Sequence, residues 1–483
     1  MTGHEREPAD QDVSRPETSP ADQELSPAAG AREGDVVPFR HALRTWFAIS
    51  LQTFGGPAGQ IAVMQRTLVD DKRWISQRRF LHALNYCMLL PGPEAQQLAI
   101  YVGWLLNGVR GGLAAGILFV FPGIVALLAL SAIYVGFGDT TFVTAVFAGL
   151  GPAVVAVVAQ AVHRVGKRAL THPALIAIAL GAFAALALFG VPFPVVIAVA
   201  ALAGWLLAKV TPPHALRGAN AAKADAGPQP LISDDALHTE RPTLVRAIRI
   251  TLIGATLWGL PLLAVALLTG TGSVFATQGL FFSGAALVTF GGAYAVLAYV
   301  AQRAVETYAW LSAGDMVRGL ALAESTPGPL IMVVQFVAFL GAYNNPGSLD
   351  PWIAGLLGAL ITTWVTFVPC FLFIFLGAPD IERLRSNHTL SAALTGITAA
   401  VVGVIANLAL YFATHTLFAG NRPVELGILQ LNLPDPTSVR PVVVALAIVA
   451  AVLVFRLRWS VLRTLGICAA LGLGAALAGL PVA

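Results

Sequence analysis

Two carboxylates, Glu94 and Glu324, each lie within three residues of a Pro-Gly-Pro triplet inside an apolar stretch. A carboxylate at membrane depth is costly and marks an ion or proton pathway, so both are candidates for carrying a coupled proton. The triplets, Pro91-Gly92-Pro93 and Pro327-Gly328-Pro329, supply a second chemistry. Proline suits the first position of a helix because it has no N–H to lose. Pro93 and Pro329 therefore start new helices whose opening amides lack intrahelical acceptors. Such amides carry partial positive charge and bind anions, and Gly92 and Gly328 let a ligand approach the backbone. Ahead of each triplet lies another break: Thr53-Phe54-Gly55-Gly56 with Pro57, and Thr289-Phe290-Gly291-Gly292 with Ala293. The candidate substrate-binding set is Thr53, Gly55, Gly56, Pro57, Pro91, Gly92, Pro93 and Gln97 in one half. In the other it is Thr289, Gly291, Gly292, Thr326, Pro327, Gly328 and Pro329. Arg66 and Arg110 are candidates for guiding an anion to the entrance. The plainer alternatives are packing kinks at the Gly/Pro breaks, a helix-capping Glu94, and arginines that anchor loops at the membrane surface.

The breaks form a repeat. Thr289 follows Thr53, Trp310 follows Trp74 and Pro327 follows Pro91 by the same 236 residues. The chain reads as two diverged copies of one unit, with a working site built from both.

The elements that must hold these residues are membrane helices. Apolar residues make up 57 % of the chain and charged residues 11 %, against roughly 25 % charged in soluble domains. Several apolar runs reach the roughly 20 residues that cross a bilayer, among them 112–137, 142–162, 244–269, 352–376 and 391–417. The alternating pattern of a membrane barrel is absent. The expected class is an all-α polytopic membrane protein with about 13 membrane segments, some broken or re-entrant. The small net charge of +4 sits on loop Arg and Lys, as membrane topology requires, and gives no reason to expect nucleic acid. Cys87, Cys370 and Cys468 lie far apart with no CxxC spacing and read as buried thiols. His82, His163 and His388 are isolated. No HExxH, GxxxxGK[ST] or nucleophile elbow occurs, so the sequence points to no enzyme, cofactor or metal site.

In chain order, residues 1–37 are polar and read as a disordered cytoplasmic tail. They lack the basic and apolar regions of a signal peptide. The first repeat occupies 38–210. A polar linker follows at 211–243, then one joining helix at 244–270, and the second repeat runs 271–483. Arg164, Lys167 and Arg168 have no basic counterpart around 411–420, whereas Arg456, Arg458 and Arg463 lie where the first half turns without charge. Positive loops face the cytoplasm, so the halves are oppositely oriented, with the N-terminus cytoplasmic and the C-terminus periplasmic. Two parallel repeats are the alternative. Inverted repeats place a transport site at their interface near the midplane. The basic loop from Arg66 to Arg79 favours re-entrant hairpins that return to the cytoplasm; the apolar length of the broken segments favours full crossings. Both remain open at this point.

At these motifs the chain resembles the chromate ion transporter family in its long, two-domain form. The residues that carry the resemblance are Thr53 to Gln60, Leu89 to Ala99, Leu287 to Tyr294, Glu324 to Ile331 and Thr362 to Cys370. The resemblance implies a bacterial inner-membrane protein that exports chromate on the proton motive force and confers chromate resistance. Chromate and protons would be its transported ions, and a second copy of the chain a candidate partner. The residues themselves say only a small anion. Sulfate has the same charge and shape as chromate, and a passive anion channel would use the same breaks.

Overall fold

The computed structural model describes residues 35–138, 140–210, 231, 243–290, 292–378, 388–426 and 429–481. Most of the tail and linker, and Gly291, therefore lie outside the described residues. Sixteen α-helices and one two-stranded antiparallel ribbon are present among them. The first repeat holds α1 (Phe39–Ser50), α2 (Gly56–Gln65), α3 (Gln77–Cys87), α4 (Glu94–Phe137), α5 (Thr141–Ala169), α6 (Pro173–Ala187) and α7 (Phe193–Val210). The joining helix α8 spans Leu244–Thr269. The second repeat holds α9 (Val274–Leu287), α10 (Ala293–Gln302), α11 (Ala313–Ser325), α12 (Val333–Asn344), α13 (Pro351–Gly377), α14 (His388–Leu417), α15 (Pro441–Ala451) and α16 (Val461–Leu477). Six of these helices are long and apolar enough to cross a membrane.

The helices stop where the local chemistry says they must. Gly55 and Gly56, at φ +77° and +76°, end the first apolar stretch, and α2 restarts with Pro57 in its first turn. Ser76 caps α3 by accepting from the Arg79 amide at 3.0 Å. Ser312 caps α11 in the same way, and Asp315 returns the bond in a capping box. Helix α4 is two helices, 94–106 (α4a) and 109–137 (α4b). They turn back on each other at Asn107 and Gly108, whose backbone is not helical. Gly103 packs directly on Gly111 and Ala115 across that turn.

The geometry decides for hairpins. Trp74, after α2, meets His41 in the first turn of α1 with ring centroids 5.5 Å apart. The Val36 amide donates to Leu106 O at the end of α4a, and Asn107 Nδ2 donates to Val37 O at 2.6 Å. Both broken segments of the first repeat thus start and finish on one side. In the second repeat Asn344 Nδ2, at the end of α12, donates to the carbonyl of Trp310. Trp310 also packs on Phe281 and Phe282 of α9. Here too both segments return to the side they came from.

The repeats are inverted. Helices α4b and α13 are counterparts, since Pro369 follows Pro122 by 247 residues. They run antiparallel: Gly112 and Gly116, early in α4b, abut Phe375 and Phe371, late in α13, while Gly136 faces Trp352 at the start of α13. The halves also exchange helices. Helix α5 packs on α15 and α16, and its counterpart α14 packs on α6 and α7. Glycine pairs make both crossings close, Gly149 against Gly472 and Gly396 against Gly204, as small residues do between membrane helices. Helix α8 has no buried residue and lies on α9 and α13.

The sequence reading placed no strand. Between α14 and α15 the chain forms β1 (Asn421–Leu426) and β2 (Leu429–Pro434). Its short strands are broken by Pro423 and flanked by polar residues, a weak signal beside the long apolar runs.

Candidate anion site at the crossed breaks

The backbone amide of Gly92 donates to the carbonyl of Thr289 at 2.9 Å, and that of Gly328 donates to the carbonyl of Thr53 at 2.9 Å. Each Pro-Gly-Pro break is therefore fastened to the Thr-Phe-Gly-Gly break of the other repeat, by the same bond on both sides. Gly92 and Gly328 have φ of +116° and +105°, a region that strains other residues. The partner repeat also fills the space behind them. A Cβ on Gly92 would stand 3.0 Å from Cys370 Sγ of α13, and one on Gly328 3.3 Å from the Cα of Gly123 of α4b. Gly123 and Cys370 are counterparts, so this packing is reciprocal as well.

Glutamines satisfy the carbonyls that the breaks leave over. Gln97 Nε2 donates to Pro91 O at 2.7 Å, and Gln60 Nε2 donates to Gly328 O at 2.6 Å. Gln335 Nε2 donates to Ile124 O on α4b at 3.2 Å. The threonines act locally. Thr53 and Thr326 donate to carbonyls three residues back and Thr289 to one four back. It is the carbonyls of Thr53 and Thr289, not their hydroxyls, that join the repeats. Pro57 takes the second helical position rather than the first, because α2 already begins at Gly56.

Each carboxylate lies beside a helix start in the opposite repeat or at its own triplet. Glu94 opens α4a, and its Oε1 lies 3.7 Å from the Cβ position of Gly292, where α10 begins. Negative charge is favourable at such a terminus. A cavity of about 40 Å³ lies here, lined by Cys87, Met88, Leu90, Gly92, Glu94 and Gly292. Glu324, 1 % exposed, accepts a short hydrogen bond from the Tyr294 hydroxyl on Oε1 and has no partner for Oε2 among the described residues. Tyr294 in turn stands against Gly56 at the start of α2. Gln96 is fully buried with neither amide atom partnered among the described residues, and one oxygen of Gln97 and of Gln335 is likewise unpartnered. An unmet buried polar group costs about 1–3 kcal/mol, a cost that stable folds rarely leave standing without a use. A larger cavity, about 630 Å³, lies elsewhere, between α6, α10, α14 and the ribbon, with Gln302, Glu306, Tyr411 and His415 in its wall.

The two arginines part company. Arg66 hydrogen-bonds Gln52 Oε1 at 3.4 Å, one residue from Thr53. Arg110 pairs with Asp35 and lies over the Phe39 ring at 5.0 Å. It sits at the far end of α4a, roughly 20 Å from Glu94 by helical rise. Gln60, Tyr294 and Cys370 also belong to the site, though reading the breaks alone did not single them out. All three fall within the stretches already noted as motifs. Gln335, a polar residue near the second break, joins them.

Inverted repeats, paired re-entrant hairpins and broken helices meeting from opposite halves are features of membrane transporters built from inverted repeats. The chromate transporter family model matches residues 41–205 and 276–475, and the chain belongs to that family. It is similar to a chromate transport protein of Pseudomonas aeruginosa, 34 % identical over 363 residues, covering 74 % of this chain and 76 % of that one. A chromate transport protein of Cupriavidus metallidurans is 27 % identical, over 83 % of this chain and 88 % of its own. A probable chromate transport protein of Synechococcus elongatus is 27 % identical over 75 % and 82 %. No solved structure matches. The protein is a multi-pass membrane transporter of this family.

Proposed function

We infer that the protein is a secondary carrier that exports chromate across the bacterial inner membrane, driven by the proton motive force, and so confers chromate resistance. One observation carries this reading: the reciprocal bonds Gly92–Thr289 and Gly328–Thr53. They join four helix termini from oppositely oriented halves at one place, where amides can face an anion. A tetrahedral oxyanion presents only acceptors and needs donors. The opening amides of α4a, together with those of α2 and α10, are such donors. The carbonyls of Thr53 and Thr289 hold the glycine amides until the anion competes for them. Rocking one repeat against the other would break and remake the two bonds, which is alternating access around a fixed site.

Glu94 and Glu324 are the carboxylates that would take the coupled proton. The basic ends of α5 and α15 and the start of α8, with Arg246 and Arg249, support a cytoplasmic α1 side and a periplasmic C-terminus. On the periplasmic side Tyr134 donates a short hydrogen bond to Asp315, and Arg318 donates to Tyr134 at 2.8 Å. That network ties α4b to α11 and supports an outward side that is closed here.

Labelled chromate uptake into inside-out vesicles, with and without a proton uncoupler and with excess sulfate, tests the reading. Collapse with uncoupler and resistance to sulfate are expected. Uptake indifferent to uncoupler would make the protein a channel or exchanger, and strong inhibition by sulfate would widen its substrate to tetrahedral oxyanions.

A further inference from the structure

Along one face of α13, Gly358, Thr362, Thr366 and Cys370 recur every fourth residue. That spacing keeps them on one side of the helix over about 18 Å. Polar atoms reach this row at both ends. At the end nearer the start of α9, Gln278 Oε1 lies 2.8 Å from the Cβ position of Gly358, while its amide nitrogen donates to Ala338 O of α12 at 3.1 Å. At the other end Cys370 Sγ and Gln97 Nε2 each lie 3.0 Å from the Cβ position of Gly92, which lines the cavity beside Glu94. At the Gln278 end, Ala338 and Ala342 of α12 also pack on Gly358. The antiparallel register then brings Gln335 level with Thr362.

Gln278, Gln335, Thr362 and Gln97 are all 0 % exposed. Each keeps one side-chain oxygen without a partner among the described residues. The corresponding row on α4b has no such side chains. The counterpart positions are Ala42, Ala99, Gly111, Ala115, Phe119 and Gly123, and Gly103 closes directly on Gly111 and Ala115.

The unpartnered atoms choose the ligand. Three are amide oxygens, which only accept, and one is a hydroxyl. A second acceptor, such as an oxyanion, gains nothing from the three amide oxygens. Water, a hydrated proton or a small alkali cation does. We propose that this row conducts the coupling cation, a proton relayed on water or Na+, from the α9 side of the membrane to Glu94. Trp310 caps its outer end against Gly341, beside Gln278. The proposal rests on the reading of a coupled carrier and adds that the cation reaches Glu94 along α13, with no matching row on α4b.

Two measurements test it. In a background with Cys87, Cys370 and Cys468 changed to Ser, Thr362→Cys or Ala115→Cys protein in sealed vesicles is exposed to Ag+ from the periplasmic side. Protection of the introduced thiol from later alkylation is then read by mass spectrometry. At least tenfold faster protection at position 362 is expected; equal rates overturn the conduit, whatever the transported anion is. The second uses Thr362→Val in proteoliposomes under an imposed proton or Na+ gradient. The ratio of gradient-driven chromate uptake to chromate–chromate exchange should fall at least tenfold, with Thr362→Ser restoring it. The gradient that drives the wild type identifies the cation. An equal loss of both activities overturns the proposal, because it places Thr362 in the anion's path. A wild type that takes up no chromate under any gradient overturns the function proposed above, and the silver result still decides the conduit.

Discussion

At the first Pro-Gly-Pro break position 94 is Glu; at the second its counterpart, position 330, is Leu. Glu324 and Tyr294 face Met88 and Ala58 in the same comparison, and Gln60 faces Val296. Yet the two inter-repeat backbone bonds are the same on both sides, and so is the packing of Gly123 and Cys370 behind the glycines. What the backbone does is done twice, and what side chains do is done once. Pseudo-symmetry is kept where the halves are joined backbone to backbone and dropped where a charge is placed, because two carboxylates at mirrored positions would repel.

The sharpest way to break this comparison is to strike both glycines. Gly92→Val and Gly328→Val should each reduce chromate uptake to background while the protein remains inserted. A side chain at those φ values costs about 1–3 kcal/mol before any clash. Full uptake in either variant would show that the two sides are not equivalent. Next come the unshared carboxylates. Glu94→Gln should lower proton-driven uptake about tenfold, or about 1.4 kcal/mol of coupling, with less effect on downhill exchange. An unchanged pH profile would remove Glu94 from the proton's route. Tyr294→Phe leaves Glu324 with both oxygens unpartnered and should cost about 1–3 kcal/mol of stability, read as a lower melting temperature in detergent. A melting temperature equal to wild type would mean that the Tyr294–Glu324 bond contributes little.

The threonines should matter less than their place in the motif suggests. Thr53→Val and Thr289→Val remove hydroxyls that serve only their own helices, an effect of about 0.5–1.5 kcal/mol, and should leave uptake within about twofold. A complete loss would make the hydroxyls substrate ligands. The smallest effect concerns the ribbon, which the first repeat lacks. Hydrogen bonds from Thr437 and the Arg422 guanidinium hold the Asp435 carboxyl below its usual range. A depressed folded value means a contribution present above the unfolded pKa of about 3.9 and lost as pH falls through the folded value. Because the pair lies at the surface, with the Arg422 side chain 71 % exposed, acid should loosen only the ribbon, seen as faster amide exchange there below about pH 4.

Much of this was legible in the sequence because its causes are local. A Gly-Gly or Pro-Gly-Pro ends a helix wherever it stands, and the constant spacing of Thr53/Thr289 and Pro91/Pro327 exposes the repeat. The loop from Arg66 to Arg79 favoured hairpins while the apolar length favoured full crossings, so the sequence left both open, and only the contacts of Trp74 and Trp310 separate them. The crossing bonds were not legible. A carbonyl of Thr289 held by an amide of Gly92 leaves no trace in residue type, since any residue offers the same carbonyl. The role of Gln60 was missed for a related reason, and Gln335 stood out only as a polar residue near the breaks: their partners are carbonyls on other helices, 268 and 211 residues away. Cys370 read as a buried thiol, and nothing local says that Gly92 is what it touches.

Helix α8 carries a last consequence. It buries no residue, and the chain ahead of it is long and polar. The halves are held by their traded helices, not by this tether. What the tether does is guarantee one copy of each half and turn the second half over as it leaves the ribosome. Two polypeptides cut between residues 211 and 243, each inserting by its own positive charges, should find one another and work.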